Sequence, residues 1–265
     1  MARKKTGDRP PRRRRLWNTA LVAVALCGTT AAGLAVHRAL SDDGDTDRVV
    51  TIDEAGRLAA SRLTLYQASP VAVSLTAAEG GGVTIRVEAV VDYRTHRAVG
   101  SYRVTGAAGP LDRGLIVWDG AGLGLAPAPA GGTDPAWQQA EHIPRSGWSS
   151  RAYTADPLDS GLRLLIQLGA DRPDNPMLLA QSGARWLGRD RIEGRTYDRF
   201  SGPRAQDAVR KEAEDTRSPL TYWVDGDGGL RRATMRMPGL GTPTTIEITG
   251  RDDRARMPEA PWIAG

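Results

Sequence analysis

The stretch Leu220–Met237, LTYWVDGDGGLRRATMRM, decides the fold. Leu220, Tyr222 and Val224 alternate with Thr221, Trp223 and Asp225, and later Ala233, Met235 and Met237 alternate with Arg232, Thr234 and Arg236. A period of two with one apolar face belongs to an antiparallel strand buried on one side. Between the runs, Asp225-Gly226-Asp227-Gly228-Gly229 supplies residues that tolerate positive φ, as a hairpin turn requires. Leu230 falls on the polar parity, so a bulge is expected beside the turn. A lone hairpin is marginal in water, so further strands or a covering helix must come from elsewhere in the chain.

Outward from the hairpin, the same alternation returns. Val71–Ala77, Val83–Val91, Ala98–Val104, Leu115–Trp118 and Leu123–Ala126 read as a meander, with Glu79-Gly80-Gly81-Gly82 and Asp119-Gly120 as turns. Ala184–Arg189 and Arg195–Ser201 lead into the hairpin, and Thr244–Thr249 follows it. Helices are signalled three times. Thr51 and Glu54 form a capping box before a helix that must stop ahead of Pro70. Asp156-Pro157 and Asn175-Pro176 each place a side-chain cap before a proline at the first helical position. Residues 127–147 read as a Pro/Gly-rich surface excursion and Ala205–Arg217 as a charged helix or loop. The order of helix, strands, helices and strands predicts an α+β domain: one continuous antiparallel sheet with a few helices on one face.

The net charge of +5 is unevenly placed. Residues 1–15 hold eight Lys/Arg against Asp8 alone, which leaves −2 for everything after them, so no nucleic-acid partner is expected. Leu16–Val36 then runs 21 residues without a charge, long enough to cross a bilayer as a helix. Arg12–Arg15 before it and the acidic SDDGDTD after it orient the N-terminus to the cytoplasm and the main domain to the outside. A cleaved signal peptide, with Thr30-Ala31-Ala32 at the cleavage site, is a second reading of the same residues. Lipidation of Cys27 is disfavoured by Leu26, where a small residue belongs. The expected divisions are a basic cytoplasmic tail (1–15), a membrane anchor or signal segment (16–37), an acidic linker (38–50) and an extracytoplasmic domain (51–265) in a single-pass cell-membrane protein.

Three C-terminal stretches, ARWLGRDRIEGRTYDRFSG (184–202), PLTYWVDGDGGLRRATMRM (219–237) and TTIEITGRDDRARMPEAP (244–261), resemble the closing half of the LppX/LprG-type actinobacterial lipoproteins of the LolA-like half-barrel superfamily. NPMLLAQSG (175–183) fits the same pattern. The resemblance implies a curved sheet wrapped over helices, with an apolar cavity for a lipid or acyl chain. None of these motifs is catalytic. They mark turns and strands, and so speak for fold.

Chemistry is sparse in the remainder. One cysteine excludes an internal disulfide framework and any multi-Cys metal site. No GxSxG, HExxH or phosphate-cradling Gly-rich motif occurs, and His96 reads as a solvated turn residue. Asp225-Gly226-Asp227 begins like a calcium loop, but the later ligand positions fail. Asp43, Asp45, Asp47 and Glu54 match loop spacing, but Arg48 stands where glycine belongs and Glu54 is claimed by the cap. No enzyme activity, metal or cofactor is expected. A sheet curved over the 158–168 helix encloses Val83, Ile85, Val87, Val91, Leu162, Ile166, Tyr222, Val224, Met235 and Met237, which are the candidate ligand-binding residues. The leading expectation is a membrane-anchored domain that binds a hydrophobic ligand. The alternative is an envelope sensor or adaptor that binds another protein through the half-barrel. A hollow concave face favours the first and a filled one the second.

Overall fold

The computed structural model describes residues 47–129, 132–203, 218–259 and Pro261, all within one compact unit, Asp45–Gly265. The basic tail, the apolar segment, most of the acidic linker and residues 205–217 lie outside the described residues. No helix among the described residues is long and apolar enough to cross a membrane.

The strands are β1 (Arg48–Val49), β2 (Val71–Ala78), β3 (Thr84–Asp92), β4 (Arg97–Gly106), β5 (Gly109–Asp119) and β6 (Leu123–Pro127), followed by β7 (Ser149–Arg151), β8 (Arg185–Ile192) and β9 (Arg195–Ser201), then β10 (Leu220–Val224), β11 (Leu230–Met235) and β12 (Thr244–Arg251). They form one twelve-stranded sheet, ordered β1-β8-β9-β10-β11-β12-β2-β3-β4-β5-β6-β7. The helices are α1 (Ile52–Ala68), α2 (Ala136–Glu141), α3 (Pro157–Gln167) and α4 (Pro176–Gln181). The sheet is curved. α3 touches β12, β2 and β5, although β12 and β5 stand four ladder steps apart. Four steps are about 19 Å in a flat sheet, against a helix about 10 Å across, so the strands must wrap around it.

The hairpin behaves as its alternation demands. Leu220 faces Met235, Tyr222 faces Ala233 and Val224 faces Leu230. The register slips between Trp223 and Val224, which is the expected bulge, and it turns Leu230 inward to 6% exposure. Asp225 holds the turn: its Oδ1 accepts from the backbone N–H of Asp227 (3.0 Å) and Gly229 (2.7 Å), while Gly228 takes φ +82°. The carboxylate that opened the calcium-like pattern is thus spent on the backbone.

α3 lies close to the sheet because Gly161 has no side chain. A Cβ there would come within 2.8 Å of Thr244 and 3.0 Å of Leu75. Its Leu162, Leu165 and Ile166 are buried in the main core with Leu75, Val91, Trp118 and Ile246, each contributing about 1.5–3 kcal/mol by burial. Asp159, fully buried, ties the start of α3 to the β7 edge, accepting from Arg151 Nη2 (2.9 Å) and Thr154 N (2.6 Å). Burial opposes its ionisation, but the Arg151 and Thr154 bonds together hold the carboxyl below its usual value.

Three readings need correction. Arg48–Val49, inside the expected 38–50 linker, already belong to the sheet, since Arg48 pairs with Trp186 and Val49 with Arg185. The 127–147 excursion is not bare surface. It contains α2, which with Trp137, Ile143 and Trp148 covers Val99, Leu115 and Val117 on the opposite face from α3. Helices therefore cover both faces of the sheet. Trp223, assigned to the polar face, is 8% exposed because Arg232 lies 5.5 Å over its ring and Asp190 accepts from its Nε1 at 2.6 Å.

The capping box at the start of α1 carries a pH signature. Glu54 receives Arg48 Nη2 (2.7 Å), Arg48 Nη1 (2.8 Å) and the Thr51 N–H (2.8 Å). The hydrogen-bonded Arg48 guanidinium lowers its carboxyl from 4.5 to about 2. A folded value below the unfolded one means stability that is present above about pH 4.5 and is lost as pH falls toward 2. Glu54→Gln should lower stability by ~1–3 kcal/mol at neutral pH, with the deficit shrinking to nothing near pH 2 in urea melts. A pH-independent deficit would show that the cap acts by shape alone.

Candidate functional site

The concave face of the sheet is packed on one side and hollow on the other. Over β2 and β3, Val87, Val91, Leu162 and Ile166 close on one another in the main core, with Ile85 half-buried against them. Val224 and Ala233 are fully buried in the same core, and Tyr222 packs at its margin. Val83, Met235 and Met237 are half-buried outside that cluster. Of the ten residues expected to line a cavity, Tyr222 alone borders the hollow that the structure contains there.

That hollow, about 260 Å³, lies where α1, α3 and α4 meet β10 and β11. α1 contributes Leu58, Ser61 and Arg62, and α3 with its C-cap residue contributes Leu164, Gln167 and Leu168. Both triplets have i, i+3, i+4 spacing, which brings three side chains onto one helix face. α4 adds Leu179, the strands add Leu220, Tyr222 and Leu230, and Asp174 and Pro203 complete the wall. Ser61 spends its hydroxyl on Leu58 O (2.7 Å), so it presents little polarity to the space.

The polar groups gather around Arg62. Its Nη1 donates to Asp174 Oδ1 at 2.9 Å and its Nη2 to Gln167 O at 3.1 Å. The Arg62 Nε is buried with no hydrogen-bond partner. A buried donor left unpaired costs about 1–3 kcal/mol, and such groups are rare enough to call for an explanation. Burial pushes the Tyr222 hydroxyl up to about 12, so it stays a neutral donor at physiological pH. Arg62 and Gln167 also border a second hollow of about 490 Å³, which Arg94, His96 and Asp171 share with Tyr66 and Ile166. Chemically, the arrangement is an apolar slot with a guanidinium at one wall.

No family model matches the chain, and no curated protein matches it. Among solved structures, an uncharacterized conserved protein from Thermus thermophilus aligns over 73% of this chain and 83% of its own, with 8% identity and a TM-score of 0.32. The "putative outer membrane lipoprotein-sorting protein domain" from Vibrio parahaemolyticus aligns over 82% and 89%, with 7% identity and a TM-score of 0.22. At these scores neither alignment establishes a common fold.

Sequence reading missed Arg62, Gln167 and Asp174. One signal was available: Arg62 sits four residues after Leu58, on the margin of the buried stripe of α1, where a charge needs a reason.

Proposed function

We propose that this protein is a membrane-anchored, extracytoplasmic, non-enzymatic domain that holds a single acyl chain in the slot between α1, α3, α4 and the β10–β11 hairpin. The observation that carries the reading is the slot itself, about 260 Å³ with leucine-rich walls. An apolar cavity of about 150 Å³ suffices for a benzene-sized guest, and drug-sized sites begin near 300 Å³. The volume therefore suits one hydrocarbon segment and is too small for a two-chain lipid. About eight buried methylenes contribute roughly 6 kcal/mol, much of it offset by association costs, so the acyl chain alone binds at millimolar or weaker and tighter binding needs a contribution from the head. The Arg62 guanidinium at the slot wall is the group that would meet an anionic head.

Two tryptophan substitutions test this. Leu164 is half-buried at the slot wall, so Leu164→Trp should abolish uptake of a fluorescent fatty acid with little change in Tm. Val87, 1% exposed in the packed part of the face, should lose ~1–3 kcal/mol as Val87→Trp. Unchanged uptake in Leu164→Trp, or no uptake by the parent protein, rejects the slot as a binding site.

A further inference from the structure

One rim of the sheet is built unlike the other. At it lie the 79–83 turn, the 107–108 turn of the β4–β5 hairpin, and the first residues of β8, β10 and β12. Val49 and Ile52, both exposed, stand at this rim, and so does Leu111, 62% exposed beside Gly106. Met177 and Leu178, exposed on α4, lie on the segment that leads to it. Among the described residues these are the large apolar side chains that face solvent. The opposite rim carries the 93–96 and 225–229 turns, which are made of polar residues and glycine apart from Tyr93, which is buried.

Just behind the Leu111 hairpin, Arg86, Arg103 and Arg113 form a row across β3, β4 and β5. Arg86 is the direct ladder partner of Arg103, and Arg103 of Arg113. All three are exposed on the outer face. Glu88 binds Arg86 (2.5 Å), while Arg103 and Arg113 have no ion-pair partner among the described residues. Like charges directly opposite one another destabilise a sheet, so the fold gains nothing from this row. The row is two residues in from the last pair, Thr84 with Thr105, which is about 7 Å. A bilayer's headgroup layer has about that depth between its hydrocarbon and water.

We infer that the β3–β5 part of this rim is a membrane-docking surface: Leu111 enters the interface of an anionic phospholipid bilayer, and the arginine row behind it meets the lipid phosphates. The described chain begins at Asp47, within two residues of the rim, and ten residues separate it in sequence from the end of the uncharged 16–36 segment. The inference rests on the membrane-anchored part of the proposed function and is independent of the acyl slot.

The test uses the full chain in phosphatidylcholine vesicles with and without phosphatidylglycerol. In a Cys27→Ser background, a fluorophore is placed at Leu111→Cys or, on the opposite rim, at Asp227→Cys, and lipid-borne nitroxides serve as quencher. Carbonate extraction first reads whether the chain is anchored, which judges the anchored reading separately. Quenching is expected at position 111 and not at 227, and only with phosphatidylglycerol present. Each arginine near an anionic surface is worth roughly fivefold, so Arg103→Gln with Arg113→Gln should weaken the docking equilibrium by about 25-fold. The same pair relieves repulsion and should leave Tm unchanged or raised, which keeps a loss of docking from being read as unfolding. No quenching at 111, equal quenching at 111 and 227, or indifference to phosphatidylglycerol overturns the inference.

Discussion

Val224→Asp should leave no cooperative unfolding transition at room temperature. Val224 is completely buried, and its ladder partner on β9 is Asp198, itself 5% exposed. The new carboxylate would therefore sit directly opposite an existing one. Asp198 already engages Arg57 (2.7 Å) and Arg189 (2.9 Å). Burying an unpaired charge costs several kcal/mol, and cross-strand repulsion adds to it. A domain of this kind has about 5–15 kcal/mol in total. Thr221→Ser, on the other face of the same strand, should stay within about half a kcal/mol of wild type in urea melts. Equal tolerance of the two would mean that the face assignment of the hairpin is wrong.

The hairpin was legible because period two speaks directly about faces. Once Leu230 broke parity, a bulge was the economical way to bury it. The same rule misplaced Trp223, since parity says which side a residue faces and not what covers that side. Arg232 and Asp190, brought alongside by β11 and β8, cover it here. The second covered face did have a trace in the sequence: Leu115-Ile116-Val117-Trp118 is a continuous apolar run, the mark of a strand buried on both sides. All four are buried, in two different clusters. α2 stayed hidden because a six-residue helix after Pro135 has too few turns to show a period. The slot was the least legible. Its walls come from three helices and two strands, and whether apolar side chains meet or leave space depends on helix placement. Gly161 brings α3 down onto Leu75 and Thr244, closing the face over β2, while the space beside Leu164 and Leu168 remains.

Asp198 ties α1 to the sheet beside that space, and Asp198→Ala should cost ~2–3 kcal/mol, less than breaking a fully buried pair because its arginine partners keep some solvent. The carboxylate accepts from Trp186 Nε1 (3.0 Å), Arg189 Nε (2.9 Å) and Arg57 Nη2 (2.7 Å), joining β8, β9 and α1. Arg57 Nε is already buried without a partner, and removing Asp198 takes the carboxylate from a guanidinium whose side chain is 29% exposed. A partly desolvated cation without its partner is worse than no pair at all, and apolar replacement of both partners is often neutral or stabilising. Arg57→Met with Asp198→Leu should therefore recover most of the stability lost by Asp198→Ala alone, a coupling read in a double-mutant cycle. Arg57 lies one residue before Leu58 and a little over one turn before Arg62, both of which line the slot. Fatty-acid uptake should accordingly weaken in Asp198→Ala and return in the double variant. A loss below about 1 kcal/mol in Asp198→Ala, or a double variant no more stable than the single one, would show that α1 is held by its apolar face instead.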